Sequence, residues 1–178
     1  MHIAIYLADW NMALAHLFEG DLEEAFCDAI DEKGSWVKEL TPAFESQGCY
    51  CSVADAYEQL RGDLPEDVRQ SADPFMRRLI TRGQGCQELG DGGKVFPLSI
   101  SPISAAKFAE LGSQIDFQEF KDAFYVRCHD HEKAALAKCA GGNPEHSFEK
   151  AFLPYVEMWL KIVKTAAQEN KCTLITWG

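Results

Sequence analysis

The stretch from Ile3 to Ala8 limits the possible folds of this 178-residue chain more than any other segment. Ile3, Ile5 and Leu7 alternate with Ala4, Tyr6 and Ala8, so a strand here is apolar on both sides. Such a strand belongs inside a sheet. A second strand signal closes the chain at Cys172 to Trp177, where β-branched and aromatic residues dominate.

Between these two strands the pattern is mostly helical. Asp9 is placed to cap a helix reaching about Phe18, with Gly20 closing it. Asp21 and Glu24 form a capping signal ahead of Leu22, Ala25, Phe26, Ala29 and Ile30, which keep helical spacing until Gly34. Trp36, Val37, Leu40 and Phe44 suggest a third helix, irregular at Pro42, and Ser52 starts a short one through Leu60. Asp73-Pro74 reads as the start of a helix ending at Arg82, because an acceptor at the cap and proline at the first position suit a helix N-terminus. Five glycines between Gly83 and Lys94 mark a loop, and Val95 to Leu98 suggest a short edge strand. Ser101-Pro102 and Asp116 with Glu119 open two more helices, and a further pattern runs from about Val126 to Ala140. The stripe Phe148, Ala151, Phe152, Tyr155, Val156, Trp159, Ile162, Val163 and Ala166 makes a long amphipathic helix, started or kinked by Pro154.

These signals predict an α+β fold: a helix-rich single domain over residues 1–178, in two or three layers. Its N- and C-terminal strands share one small mixed sheet, and the 148–169 helix packs across it. The opening residues lack a basic n-region and a cleavage pattern, and no apolar run approaches the roughly 20 residues that span a bilayer, so a cytoplasmic chain with no membrane partner is expected. Seven cysteines without a small-scaffold spacing are expected to be reduced.

Charge is unevenly distributed. Residues 1–75 hold 16 acids against 4 bases, a net −12, while the remainder is +1. Nucleic-acid binding needs a cationic patch, which this balance does not offer. On the helix expected from Leu22 to Lys33, Glu24, Asp28, Asp31 and Glu32 share one side, opposite the apolar residues. They are the candidate contact residues for a cationic protein partner.

Chemical motifs are sparse. Cys128, His131 and Glu132, with His129, Cys139 and His146 nearby, are the densest set of metal-ligand types, and Cys128 would share a helix face with His131 or Glu132. Zinc motifs normally bring two ligand pairs at definite spacing, so a surface helix with incidental histidines is the preferred reading and no cofactor is assigned. A Cys–His nucleophile would need an imidazole beside the thiol, and adjacent Cys128 and His129 point apart on a helix. The glycine loop lacks both the preceding strand and the Gly-Lys-Ser/Thr order of a phosphate cradle.

Several landmarks together resemble the YfbM-like family of uncharacterised bacterial proteins. They are the first strand with its capped helix to Leu17; Asp31, Lys33, Trp36 and Leu40; Asp73-Pro74-Phe75 leading to Leu79 and Gly83; and the glycine loop. Leu98 to Leu111 with Ser101-Pro102, Phe117 to Phe124, Ala166-Ala167 and Thr173-Leu174-Ile175 complete the pattern. The likeness covers most of the chain and implies an α+β fold, with no chemistry attached. The His and Leu-Thr-Gly pattern associated with the family is missing between Val37 and Gly48. Two function classes follow: a non-enzymatic binding protein of immunity or regulatory type, using the acidic face, and an enzyme with an unrecognised Cys/His site.

Overall fold

The computed structural model describes residues 3–32, 35–44, 47–77, 89, 98–139 and 142–177. Four described strands form one sheet: β1 (Ile3–Ala8), β2 (Val37–Phe44), β3 (Leu98–Ile100) and β4 (Cys172–Trp177), in the order β2-β1-β4-β3. Among the described residues eight α-helices accompany it: α1 (Trp10–Glu19), α2 (Leu22–Asp31), α3 (Gln47–Leu60), α4 (Glu66–Phe75), α5 (Pro102–Ser113), α6 (Phe117–Arg127), α7 (Asp130–Cys139) and α8 (Leu153–Glu169). The fold is α+β.

By internal contacts the chain divides into two compact units. The first comprises Met1–Glu45, Gly85–Ala109 and Ile162–Gly178 and contains the whole sheet with α1 and α2. β1 lies inside this sheet, as its two-sided apolar pattern requires, with Ile5, Tyr6, Leu7 and Ala8 all buried. It pairs with β4 over its full length, from Ile3 opposite Trp177 to Ala8 opposite Cys172. The N- and C-terminal strands therefore share one sheet. All three pairings are antiparallel, where a mixed sheet was expected.

The segment expected to be a third helix is β2. Its pairing with β1 shifts register between Ile3 and Ile5, opposite the Thr41–Phe44 interval that contains Pro42, and again between Ile5 and Tyr6. Such bulges break the two-residue alternation by which a strand is recognised. Proline is tolerated there because β2 is an edge strand.

One face of the sheet, carrying Tyr6, Ala8, Val37, Cys172 and Leu174, joins Ala13 of α1 and Leu22, Phe26 and Ala29 of α2 in a single apolar cluster. Phe26 meets Tyr6 edge to face, with ring centroids 5.0 Å apart. Burying a side chain of this size stabilises by roughly 2–3 kcal/mol, so the α1–α2 hairpin is held firmly by its inner face.

The second unit, Ser46–Gln84 and Glu110–Lys161, is helical among its described residues. Its core is aromatic: Phe124 packs against Phe148 and Phe152 at 5.4 and 5.7 Å between centroids, and Tyr57 stacks on Phe120 at 5.9 Å. Gly112 is needed for this packing, because a Cβ there would lie 2.8 Å from Leu160 Cδ1 and 2.9 Å from Phe75 Cε2.

Asp73 and Pro74 do not start a helix; both lie inside α4. The Asp73 carboxylate accepts the Tyr57 hydroxyl at 2.7 Å and both Arg61 Nε and Nη2, at 3.0 and 2.5 Å. Tyr57 of α3 and Arg61 just after its end claim the carboxylate that a cap would have used. The expected continuation to Arg82 and the glycine loop, Leu89 apart, lie outside the described residues. The long C-terminal stripe begins as a π-helical turn, Phe148–Phe152, and becomes α8 just before Pro154.

Candidate functional site

The α1–α2 hairpin carries the most distinctive surface chemistry among the described residues. Asp9 caps α1, accepting the N–H groups of Asn11 at 3.0 Å and Met12 at 3.2 Å, and Lys171 Nζ approaches its other oxygen at 3.3 Å. The Met12 N–H does most to hold the Asp9 carboxyl below the usual range, against a small burial penalty and with help from Lys171. At the other end Gly20 turns left-handed at φ 81°, and its N–H and that of Asp21 return to the His16 carbonyl at 3.0 and 3.1 Å. Glycine adopts that φ without strain, which fixes the corner.

The corner brings together residues that helical periodicity keeps apart. Asp21 makes no side-chain cap bond to α2, contrary to its capping pattern. Its Oδ1 instead accepts His16 Nδ1–H at 3.0 Å, while Glu19 Oε2 stands 3.9 Å from the same nitrogen. The His16 ring stacks on Trp36, with centroids 5.5 Å apart and planes 27° from parallel.

On α2 the expected division of faces holds for most positions. Leu22, Phe26 and Ala29 are buried, while Glu24, Asp28 and Asp31 are exposed, with Glu23 beside them. Two positions differ. The helix ends at Asp31, so Glu32 lies beyond it in an extended conformation, exposed but off the helical face. Ile30, expected in the core, is 43% exposed and borders the acidic residues. Among the described ion pairs none engages Glu24, Asp28, Asp31 or Glu32. Phe18, in the last turn of α1, is 90% exposed.

The Cys128, His131 and Glu132 set is arranged differently from a ligand triad. Cys128 follows the end of α6 and precedes α7, so it shares no helix face with the other two. It is buried, and burial pushes its thiol up to about 11, which disfavours the thiolate a metal or a nucleophile requires. Glu132 Oε1 is taken by His131 Nε2 at 2.8 Å and Gln59 Nε2 at 3.1 Å, while Gln59 Oε1 accepts the His129 N–H at 3.2 Å. This polar clasp ties α3 to α7. His146 is exposed in a separate short turn, and Cys139 has no described side chain.

Two open cavities lie on the described surface, each of roughly 250 Å³. One is lined by Asp9, Trp10, Asn11, Ser101, Pro102, Ile103 and Asn170, the other by residues of α4, α6 and the turn before α6. Neither contains a histidine or cysteine. No described helix is long and apolar enough to cross a membrane. No family model, curated protein or solved structure matches the chain, so the reading of the site rests on its geometry.

The acidic face was legible as a run of i, i+4 and i+7 acids. The His16–Glu19–Asp21 corner was not, because it depends on the Gly20 turn reversing the chain. The one sequence signal for it was Gly20 closing a helix directly before an acid.

Proposed function

We propose that this chain is a non-enzymatic binding protein that presents the α1–α2 hairpin to a cationic protein partner, as an immunity or regulatory protein would. The observation that carries this reading is the state of Glu24, Asp28 and Asp31: exposed, on one face of a helix whose other face is fixed in the sheet core, with no described counter-charge. Like charges at i,i+4 cost a helix roughly 0.2–0.5 kcal/mol per pair, and Asp31 faces the unfavourable C-terminal end of the dipole. A partner supplying Lys or Arg removes that cost and is steered to the face by it. Ile30, exposed on the same helix, adds apolar contact to the charge, the combination found at the centre and rim of interfaces.

Burial raises the thiols of Cys128 and Cys172, which disfavours either of these two as the nucleophile of a Cys/His enzyme. The YfbM-like resemblance is compatible with this proposal, since its shared landmarks are helix starts and packing patterns. Replacing Glu24, Asp28 and Asp31 with Lys tests it. Capture of a basic partner at low salt should be lost while circular dichroism and the melting temperature stay close to wild type. Retained capture by the folded variant would exclude the face.

A further inference from the structure

We propose that His16, Glu19 and Asp21 form a surface site for a divalent transition ion, with zinc the best match to the ligand types. Their donor atoms, one imidazole nitrogen and two carboxylate oxygens, all lie within 4.8 Å of one another. Bonds of about 2.0–2.2 Å in a tetrahedral zinc site place donors roughly 3.3–3.6 Å apart. His16 Nδ1 lies 3.0 Å from Asp21 Oδ1 and 3.9 Å from Glu19 Oε2, on either side of that range, and the two carboxylate oxygens lie within 4.8 Å of each other. Rotation of the two surface carboxylates toward the imidazole closes the site.

Three further observations make this more than a chance grouping. Asp21 has turned from the amides of α2, where an acidic cap contributes about 1 kcal/mol, to face the imidazole. The stack on Trp36 holds the His16 ring, and the left-handed Gly20, whose N–H and that of Asp21 both bond the His16 carbonyl, holds the corner that carries Asp21. Two carboxylates converging on one imidazole also repel each other unless a cation lies between them. A divalent ion on Nδ1 supplies that charge, the imidazole keeping its proton on Nε2. Three protein ligands leave a fourth position for water, or for a group from whatever docks on the hairpin. The site stands independently of the partner proposed above.

Zinc alone is the probe. Tag-free full-length protein with its accessible thiols alkylated should bind one zinc per chain in isothermal titration. His16→Gln and Asp21→Asn should each weaken that binding about tenfold or more. Should either variant lose its fold by circular dichroism, the wild type decides the matter by NMR: zinc should shift the His16 ring resonances before those of His2, His129, His131 and His146. Absence of stoichiometric binding, or binding that leaves His16 unperturbed, would overturn the proposal.

Discussion

The Asp73 carboxylate receives the Tyr57 hydroxyl at 2.7 Å, from a tyrosine with no solvent exposure, while Arg61 grips both of its oxygens. Burial raises the Asp73 carboxyl, but the Arg61 and Tyr57 hydrogen bonds outweigh it and hold the group below its ordinary range. For Tyr57 the effects reinforce each other, and burial with the Asp73 bond pushes its hydroxyl far above its usual value. The triad joins α3 to α4 within the helical unit. Asp73→Ala leaves a buried hydroxyl and a half-buried guanidinium without their acceptor, and hydrogen bonds to charged groups contribute about 1.5–3 kcal/mol each. Chemical denaturation should show a loss of roughly 2 kcal/mol or more, with Asp73→Asn losing less.

Glu149 makes acid sensitivity specific. Burial opposes its charge, yet Lys121 at 2.8 Å and the Tyr125 hydroxyl at 2.5 Å bring its carboxyl down to about 2, against an ordinary 4.5. A carboxyl depressed in the folded state stabilises above its unfolded pKa and loses that contribution as pH falls through the folded one. The contribution therefore disappears between about pH 4.5 and about pH 2. Both side chains of the ion pair are more than a third exposed, so solvent screening reduces it. Melting temperature against pH should fall less steeply across this window in Glu149→Gln than in wild type. A parallel fall would place the acid sensitivity elsewhere, Asp73 first.

Thiol labelling discriminates binding protein from Cys/His enzyme. Burial pushes Cys128 up to about 11 and Cys172 up to about 12, and the Cys172 S–H lies 3.2 Å from the Ala8 carbonyl. Cys27 is exposed on α2. A thiol reagent at neutral pH should modify Cys27 about a hundredfold or more faster than Cys128 or Cys172, as read by peptide mass spectrometry. Native-state labelling of Cys128 at the Cys27 rate would restore it as a nucleophile candidate.

Residues whose local and tertiary demands agree were legible from sequence. Ile5 to Ala8 alternate on both faces because both faces are buried, and Asp9 and Gly20 cap α1 because no tertiary partner displaces them, Lys171 taking only the other Asp9 oxygen. Misreadings arose where a distant partner or a bulge intervened. Val37 to Phe44 kept a helix-like spacing because two register shifts disrupt its strand alternation. Asp73 carried a cap signature while its carboxylate was committed to α3, and Asp21 did the same toward His16. The acidic face survived because helical spacing alone defines it, but its C-terminal limit, Glu32, depended on where α2 ends.

The account stands on the exposed face of α2, and site-specific photocrosslinking inside cells tests it most directly. A photoreactive residue replacing Asp28 should yield a discrete adduct with a basic protein, absent when Glu24 and Asp31 are also changed to Lys and absent when the probe sits at exposed Lys164 of α8. No adduct at Asp28, or the same adducts from both positions, would contradict the binding reading and leave the acids of α2 as a solvated surface.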